Sequence, residues 1–408
     1  MASQLQDVEK RADSIQIVGD SSSKEEAGLD LTIPVPSFLR QLNERIEGLA
    51  GFEARGITRV PPEERQPPSL ASDIQVALLW FSANVSVNNL AVGLFGPLVF
   101  GLGFLDSAMF AWIPQVLVLF VLVGCAGPYF DASATSIGDK STVAANRLSF
   151  LSLCLYVPNS WAAAASDFYV YYPEKTSRLK IFLLTMTGLW LSFSLVYVLG
   201  IGLGSGIANH PAWADANSVS TGALIVAGYG PLNGFGKFCS VVVALGVIAN
   251  SIPGTYSAAL GAQVLGRYGK AVPRWVWSCV MILIELICAL AGRDHLFLVF
   301  QNFLALMGYW VEIMICIVLQ EHLIFRRKKL GFDWARWEDK SYLPLGIAAL
   351  ISFLLGWLGA VLGMYQVWYV GRLAELAGGS DIGVWVGCGF ALISFPPLRY
   401  LELKKFGR

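Results

Sequence analysis

The residues of this 408-residue chain that invite a chemical reading are neutral and polar, and they sit where polar groups are costly. Ser82, Asn84, Ser86, Asn88 and Asn89 interrupt an apolar stretch that runs from about residue 74 to residue 101. Amides and hydroxyls in lipid must face protein or a cavity. They offer donors and acceptors to a small polar solute; the competing reading is hydrogen bonding between packed helices. A second cluster, Pro158-Asn159-Ser160-Trp161, sets a helix breaker beside an indole. Proline removes a helix hydrogen bond, and an indole ring can stack on a flat ligand. A kink packed by Trp161 is the alternative. Asp167 follows, ahead of Tyr169, Tyr171 and Tyr172, where it can equally mark the membrane interface. In the third cluster, Ala249 to Tyr256, Asn250 precedes the breaker pair Pro253-Gly254.

Charged groups that could move a proton are scarce. Glu285 and Glu312 are the carboxylates inside long apolar runs, where desolvation raises a carboxyl pKa and suits a proton relay. Each can also be a hydrogen-bonded packing residue. Other chemistry is poorly served. The three histidines and seven cysteines show no ligand-like spacing and no C-x-x-C pair, so neither a metal site nor a cofactor is expected. Gly230 to Lys237 places its glycine one position off the phosphate-loop spacing, and Phe238 stands where Ser or Thr is needed. The run Gly200-Ile-Gly-Leu-Gly-Ser-Gly206 reads as close helix packing. An enzyme is not expected.

Long apolar elements must position these groups. The chain is 55% hydrophobic and 14% charged, against about 25% charged in a soluble domain. Its 29 basic and 29 acidic residues balance, so nothing points to nucleic acid. About nine windows reach the roughly 20 apolar residues a transmembrane helix needs: 74–101, 107–127, 148–170, 181–206, 235–264, 273–291, 295–320, 343–363 and 382–397. The first begins too late for a cleaved signal peptide. Residues 1–70 are charged, Ser- and Pro-rich and read as a tail, with a short surface helix over 36–51. Residues 71–408 form the membrane domain, with a polar linker at 128–147 and a C-terminal tail at 398–408.

Basic residues prefer cytoplasmic loops. Lys175, Arg178 and Lys180, then Arg267, Lys270 and Arg274, then Arg326 to Lys329 with Arg336 and Lys340, mark alternate loops as cytoplasmic, together with the C-terminal tail. Counting back through nine spans puts the N-terminal tail outside. Its own Arg40, Arg45, Arg55, Arg59 and Arg65 place it in the cytoplasm. An even span count resolves the conflict, so an odd number of spans is missing around 128–147 or that linker re-enters the membrane.

GFEARGITRVPPEERQ ahead of the first span, LLWFSANVSVNNLAVGLFGPLVFGLGFLDSA within it, and VVVALGVIANSIPGTYSAALGAQVLGR in the fifth resemble the nucleobase-cation symporter family, most closely the fungal purine-cytosine permeases. The resemblance extends to the final span. It implies an all-α polytopic membrane protein of leucine-transporter-like inverted-repeat fold, with about nine spans here against twelve in the family. It implies import of a nucleobase (cytosine, adenine, guanine or hypoxanthine) across the plasma membrane by proton symport, with no cofactor beyond the proton gradient.

Carried over residue by residue, Ser82 and Asn84 complete the cavity at the first break. Trp161 stacks on the base, Asn250 hydrogen-bonds its edge, and Pro253 holds the third break open. Glu285 and Glu312 remain the proton-coupling candidates. Two departures stand out. Gly254 replaces the second asparagine of the family's N-x-x-P-N motif, and the chain passes from the family's second span to its sixth. Three missing spans account for the charge conflict and leave one repeat short. The alternative to a transporter is therefore a truncated, non-transporting relative that associates with other helices.

Overall fold

The computed structural model describes residues 69–98, 118–173, 175–326 and 339–408, with residues 41, 42, 45, 60, 65 and 336. The expected tail over 1–70, its surface helix and the front of the 107–127 span lie largely outside these. The regular secondary structure of the described residues is helical apart from one two-stranded antiparallel hairpin, Tyr365–Gln366 paired with Tyr369–Val370. Among them, five helices are long and apolar enough to cross a membrane.

In chain order the helices are α1 (Leu70–Asn84), α2 (Val87–Leu98), α3 (Val118–Ala126), α4 (Lys140–Ser160), α5 (Arg178–Gly206), α6 (Pro211–Val219), α7 (Thr221–Gly228), α8 (Asn233–Val264), α9 (Arg267–Ala271), α10 (Arg274–Gly292), α11 (Leu296–Gln320), α12 (Ile347–Gly363), α13 (Arg372–Leu376) and α14 (Gly383–Phe406). Two compact units divide them: residues 1–58 with 258–282, and residues 59–257 with 283–408. In the first, Gln263 donates to the Val272 carbonyl at 3.1 Å and Trp277 Nε1 to the Gly269 carbonyl at 3.1 Å, which ties down the turn around α9.

The second unit holds the site. There α5 packs on α1 and α2, while α11 packs on α4, α12 and α14. Small residues bring these helices together. A side-chain carbon added at Gly387 of α14 would lie 2.9 Å from the Gly356 carbonyl of α12, and one at Gly356 would lie 2.7 Å from Ile313 of α11. The backbones meet because no Cβ intervenes, which is how membrane helices gain dispersion contact without a hydrophobic drive. The glycine run of α5 works the same way: a carbon at Gly204 would lie 3.1 Å from Pro97.

The expected linker at 128–147 is shorter than its polarity implies. After a 3-10 turn at Gly127–Tyr129 the chain reaches Asp139, which caps α4 by accepting from the Thr142 N–H at 3.1 Å. A carboxylate at a helix N-terminus satisfies an orphan donor and complements the dipole. The first turns of α4 are therefore helical though polar, eight residues ahead of the expected span at 148. Between Tyr129 and Lys140 there is no room for a spanning helix.

Candidate functional site

Two of the three expected breaks are breaks. Helix α1 stops at Asn84 and α2 starts at Val87. The Val85 N–H still reaches the Phe81 carbonyl at 3.2 Å, but the Ser86 N–H, whose helical acceptor would be the Ser82 carbonyl, turns instead to the Asn84 carbonyl at 3.0 Å. Amides bind the other carbonyls around the break. Asn250 Nδ2 of α8 donates to the Ala83 carbonyl, Asn89 Nδ2 donates to the Asn84 carbonyl at 2.8 Å, and Asn84 Nδ2 donates to the Trp80 carbonyl at 2.8 Å. Since an unsatisfied carbonyl is expensive in lipid, the asparagines stabilise the non-helical backbone as well as offering groups to a solute. Asn84 and Asn89 are fully buried.

Trp161 joins the same point. Helix α4 carries Pro158 in its last turn and gives way to 3-10 turns at Trp161–Ala163 and Ala165–Phe168. This swings the indole toward α1, where Nε1 donates to Asn84 Oδ1 at 2.8 Å. Asn84 thus accepts from the indole and donates to the backbone. Around it lies an aromatic wall that the sequence reading passed over: Trp80 meets Trp161 edge-on at 5.6 Å and Phe168 edge-on at 5.3 Å, and Phe168 lies 6.0 Å from Tyr256 of α8. Trp80 is one helical turn before Asn84, a spacing that puts both on one face and was available as a signal.

The remaining expected residues fall in different places. Ser82 is exposed and donates to the Leu79 carbonyl of its own helix at 3.4 Å, so it does not bond to the Asn84–Trp161 cluster. The third break is corrected outright: α8 runs unbroken through Pro253, which is buried. Proline removes one N–H and crowds the carbonyl four residues back, yet a long helix can absorb both. Asn250 therefore reaches Ala83 from a continuous helix.

Each candidate carboxylate lies beside one of the proline positions. Asn159 Nδ2, next to Pro158, donates to Glu312 Oε1 of α11, and Thr255 Oγ1, two residues after Pro253, donates to Glu285 Oε1 of α10 at 3.5 Å. Glu312 is half-buried and Glu285 exposed. Among the described residues no group of three His, Cys, Asp or Glu side chains is placed to hold a metal. Chemically, the cluster can stack a flat ring and exchange amide and indole hydrogen bonds with its edge.

Residues 123–387 match the family described as permease for cytosine/purines, uracil, thiamine, allantoin. The vitamin B6 transporter TPN1 of Saccharomyces cerevisiae is 34% identical over 319 residues, covering 66% of this chain and 55% of that protein. The purine-cytosine permease fcyB of Emericella nidulans is 35% identical over 300 residues, covering 73% and 59%. The chain thus spans little more than half the length of these two relatives. The purine-cytosine permease FCY22 of Saccharomyces cerevisiae is 34% identical over 486 aligned residues, covering 91% and 90%. That alignment is longer than the 408-residue chain, so part of FCY22 inside it has no counterpart here. No solved structure matches. A match across most of the chain, together with helices of membrane-spanning length, identifies a multi-pass membrane protein of the purine-cytosine permease family, a family of transporters rather than enzymes.

Proposed function

We propose that the chain carries the substrate site of a plasma-membrane nucleobase permease, a transporter that imports cytosine or a purine by proton symport, built on a leucine-transporter-like inverted repeat of which about nine of twelve spans are present here. One observation carries this reading: a ring (Trp161), an amide (Asn84) and a second amide from another helix (Asn250) meet at one helix break. A base entering there would stack on the indole and take over hydrogen bonds these groups make to one another and to backbone. Base stacking on an aromatic side chain contributes about 1–3 kcal/mol. In a version carrying a homologue's additional spans, Trp161→Ala should raise the apparent KM for cytosine about tenfold or more, while Trp161→Phe recovers much of the loss. Unchanged uptake kinetics in Trp161→Ala would remove the stacking role. Proton coupling is assigned to Glu312 ahead of Glu285, because Glu312 is tied through Asn159 to the turn that carries Trp161.

Two further readings have support of their own. The similarity to a vitamin B6 transporter favours a flat pyridine in place of a base, which Gly254 would suit by offering one amide fewer; competition of cytosine uptake by pyridoxine decides between them. The gap against FCY22 favours a non-transporting relative that associates with other helices, for which normal membrane delivery without uptake is the signature.

A further inference from the structure

A cavity of about 390 Å³ opens where α4 and α11 meet the connection between α12 and α14, and it is lined by Asn146, Ser149, Tyr156, Gln301, Gln366 and Asp381 among others. It runs along α4 from Asn146 to Tyr156 and meets the early turns of α11 at Gln301, away from the Arg-rich segment after α11 and the basic C-terminal tail. Basic loops mark the cytoplasmic face, so this cavity faces outward.

Asp381 is its chemical centre. Only 8% exposed, it accepts from the Tyr309 hydroxyl at 2.5 Å and Gln366 Nε2 at 2.6 Å on one oxygen and from the Gly383 N–H at 3.0 Å on the other. Its own N–H donates to Ser149 Oγ at 2.8 Å. Among the described residues no Lys, Arg or His pairs with it. The titratable side chains facing it are the phenols of Tyr309 from α11, Tyr156 from α4 and Tyr365 from the hairpin, with Glu312 of α11 and Cys388 of α14 within electrostatic reach of Tyr156. Phenols stay neutral near pH 7, so no neighbouring cation offsets the cost of charging the carboxylate. Burial pushes its carboxyl up to about 6 against the donors that hold it down, which sets its titration within the working range of a plasma membrane.

Tyr156 supplies the second observation. It is 1% exposed and lines the cavity, and among the described residues only Ser152 comes near its hydroxyl, without a well-formed hydrogen bond. A buried unpaired hydroxyl calls for a polar occupant, and water fits a cavity of this size and lining. Its ring meets that of Tyr309 edge-on at 5.9 Å, and it lies within electrostatic reach of both Asp381 and Glu312.

We propose that this cavity is an outward proton port and that Asp381 is its proton acceptor, with Tyr156 bridging, through cavity water, toward Glu312. A hydronium ion entering from outside gives its proton to the carboxylate and leaves as water. The role rests on the reading of the chain as a proton symporter, but the titration itself does not need transport.

The test is an infrared titration of the purified full chain in vesicles, with cytosine uptake followed in vesicles holding the version that carries a homologue's additional spans. A protonated-carboxyl band should grow as pH falls through about 6, disappear in Asp381→Asn and survive in Glu285→Gln. Removing the Tyr309 donor with Tyr309→Phe weakens the charged form, so the midpoint should rise by about one pH unit. That shift decides the matter if Asp381→Asn does not reconstitute. A band indifferent to Asp381→Asn, or a midpoint at the ordinary carboxylate value of about 4, overturns the port. A titrating Asp381 band without uptake at any pH keeps the proton site and removes the transport reading instead.

Discussion

Helices α5 and α10 are both apolar and long enough to cross a membrane, and their surroundings could hardly differ more. The C-terminal half of α5, from Gly188 to Gly206, is largely buried against α1, α2 and the segment around Tyr129, whereas no residue of α10 is buried. α5 carries the small residues that let neighbours approach. α10 carries Leu, Ile and Val outward along with Glu285, a carboxylate that accepts from the Thr255 hydroxyl at 3.5 Å. A carboxylate in lipid is costly and normally faces protein or water. The contrast teaches where packing is dense: the α5 side is a packed core, and α10 has the apolar, exposed surface of a span that meets little of the described protein.

Three substitutions sharpen or break that contrast through thermal unfolding in detergent. The largest effect belongs to the glycine seam. Gly387→Leu drives a side chain into the Gly356 carbonyl, 2.9 Å from where its first carbon would sit, and should cost about 3 kcal/mol. Next is Asn84→Leu at the break, which strips the indole of its acceptor and the Trp80 carbonyl of an added donor; about 2 kcal/mol is expected. Smallest is Leu286→Ala on α10, at 52% exposure, expected within about 0.5 kcal/mol. A Leu286→Ala cost equal to that of Gly387→Leu would mean that α10 is packed, and the contrast would fail.

Much of this was legible in the chain because periodicity and apolar length report on lipid directly. The ends of α5, α8, α10 and α11 fall within a few residues of the expected windows, and the breaks at Asn84 and Pro158 follow from polar groups where lipid forbids them. What escaped depends on tertiary contact. Pro253 reads as a breaker, yet α8 passes through it, because one lost hydrogen bond does not end a helix of this length. Ser82 looks equivalent to Asn84 in sequence, but two residues on a helix point to different faces. Asp381 lies beside a span end like any loop carboxylate; only the approach of Tyr309, 72 positions away, and of Ser149, 232 positions away, reveals it as buried.

The central claim is that this chain has the substrate cluster of a purine-cytosine permease on a core that lacks part of one repeat. Radiolabelled cytosine and purine uptake should be measured in permease-null fungal cells expressing the chain as written, beside a version carrying a homologue's three additional spans, with surface delivery of both confirmed. The account predicts saturable, proton-dependent uptake by the extended version alone. Equal uptake by the chain as written would contradict it and show that the described helices suffice.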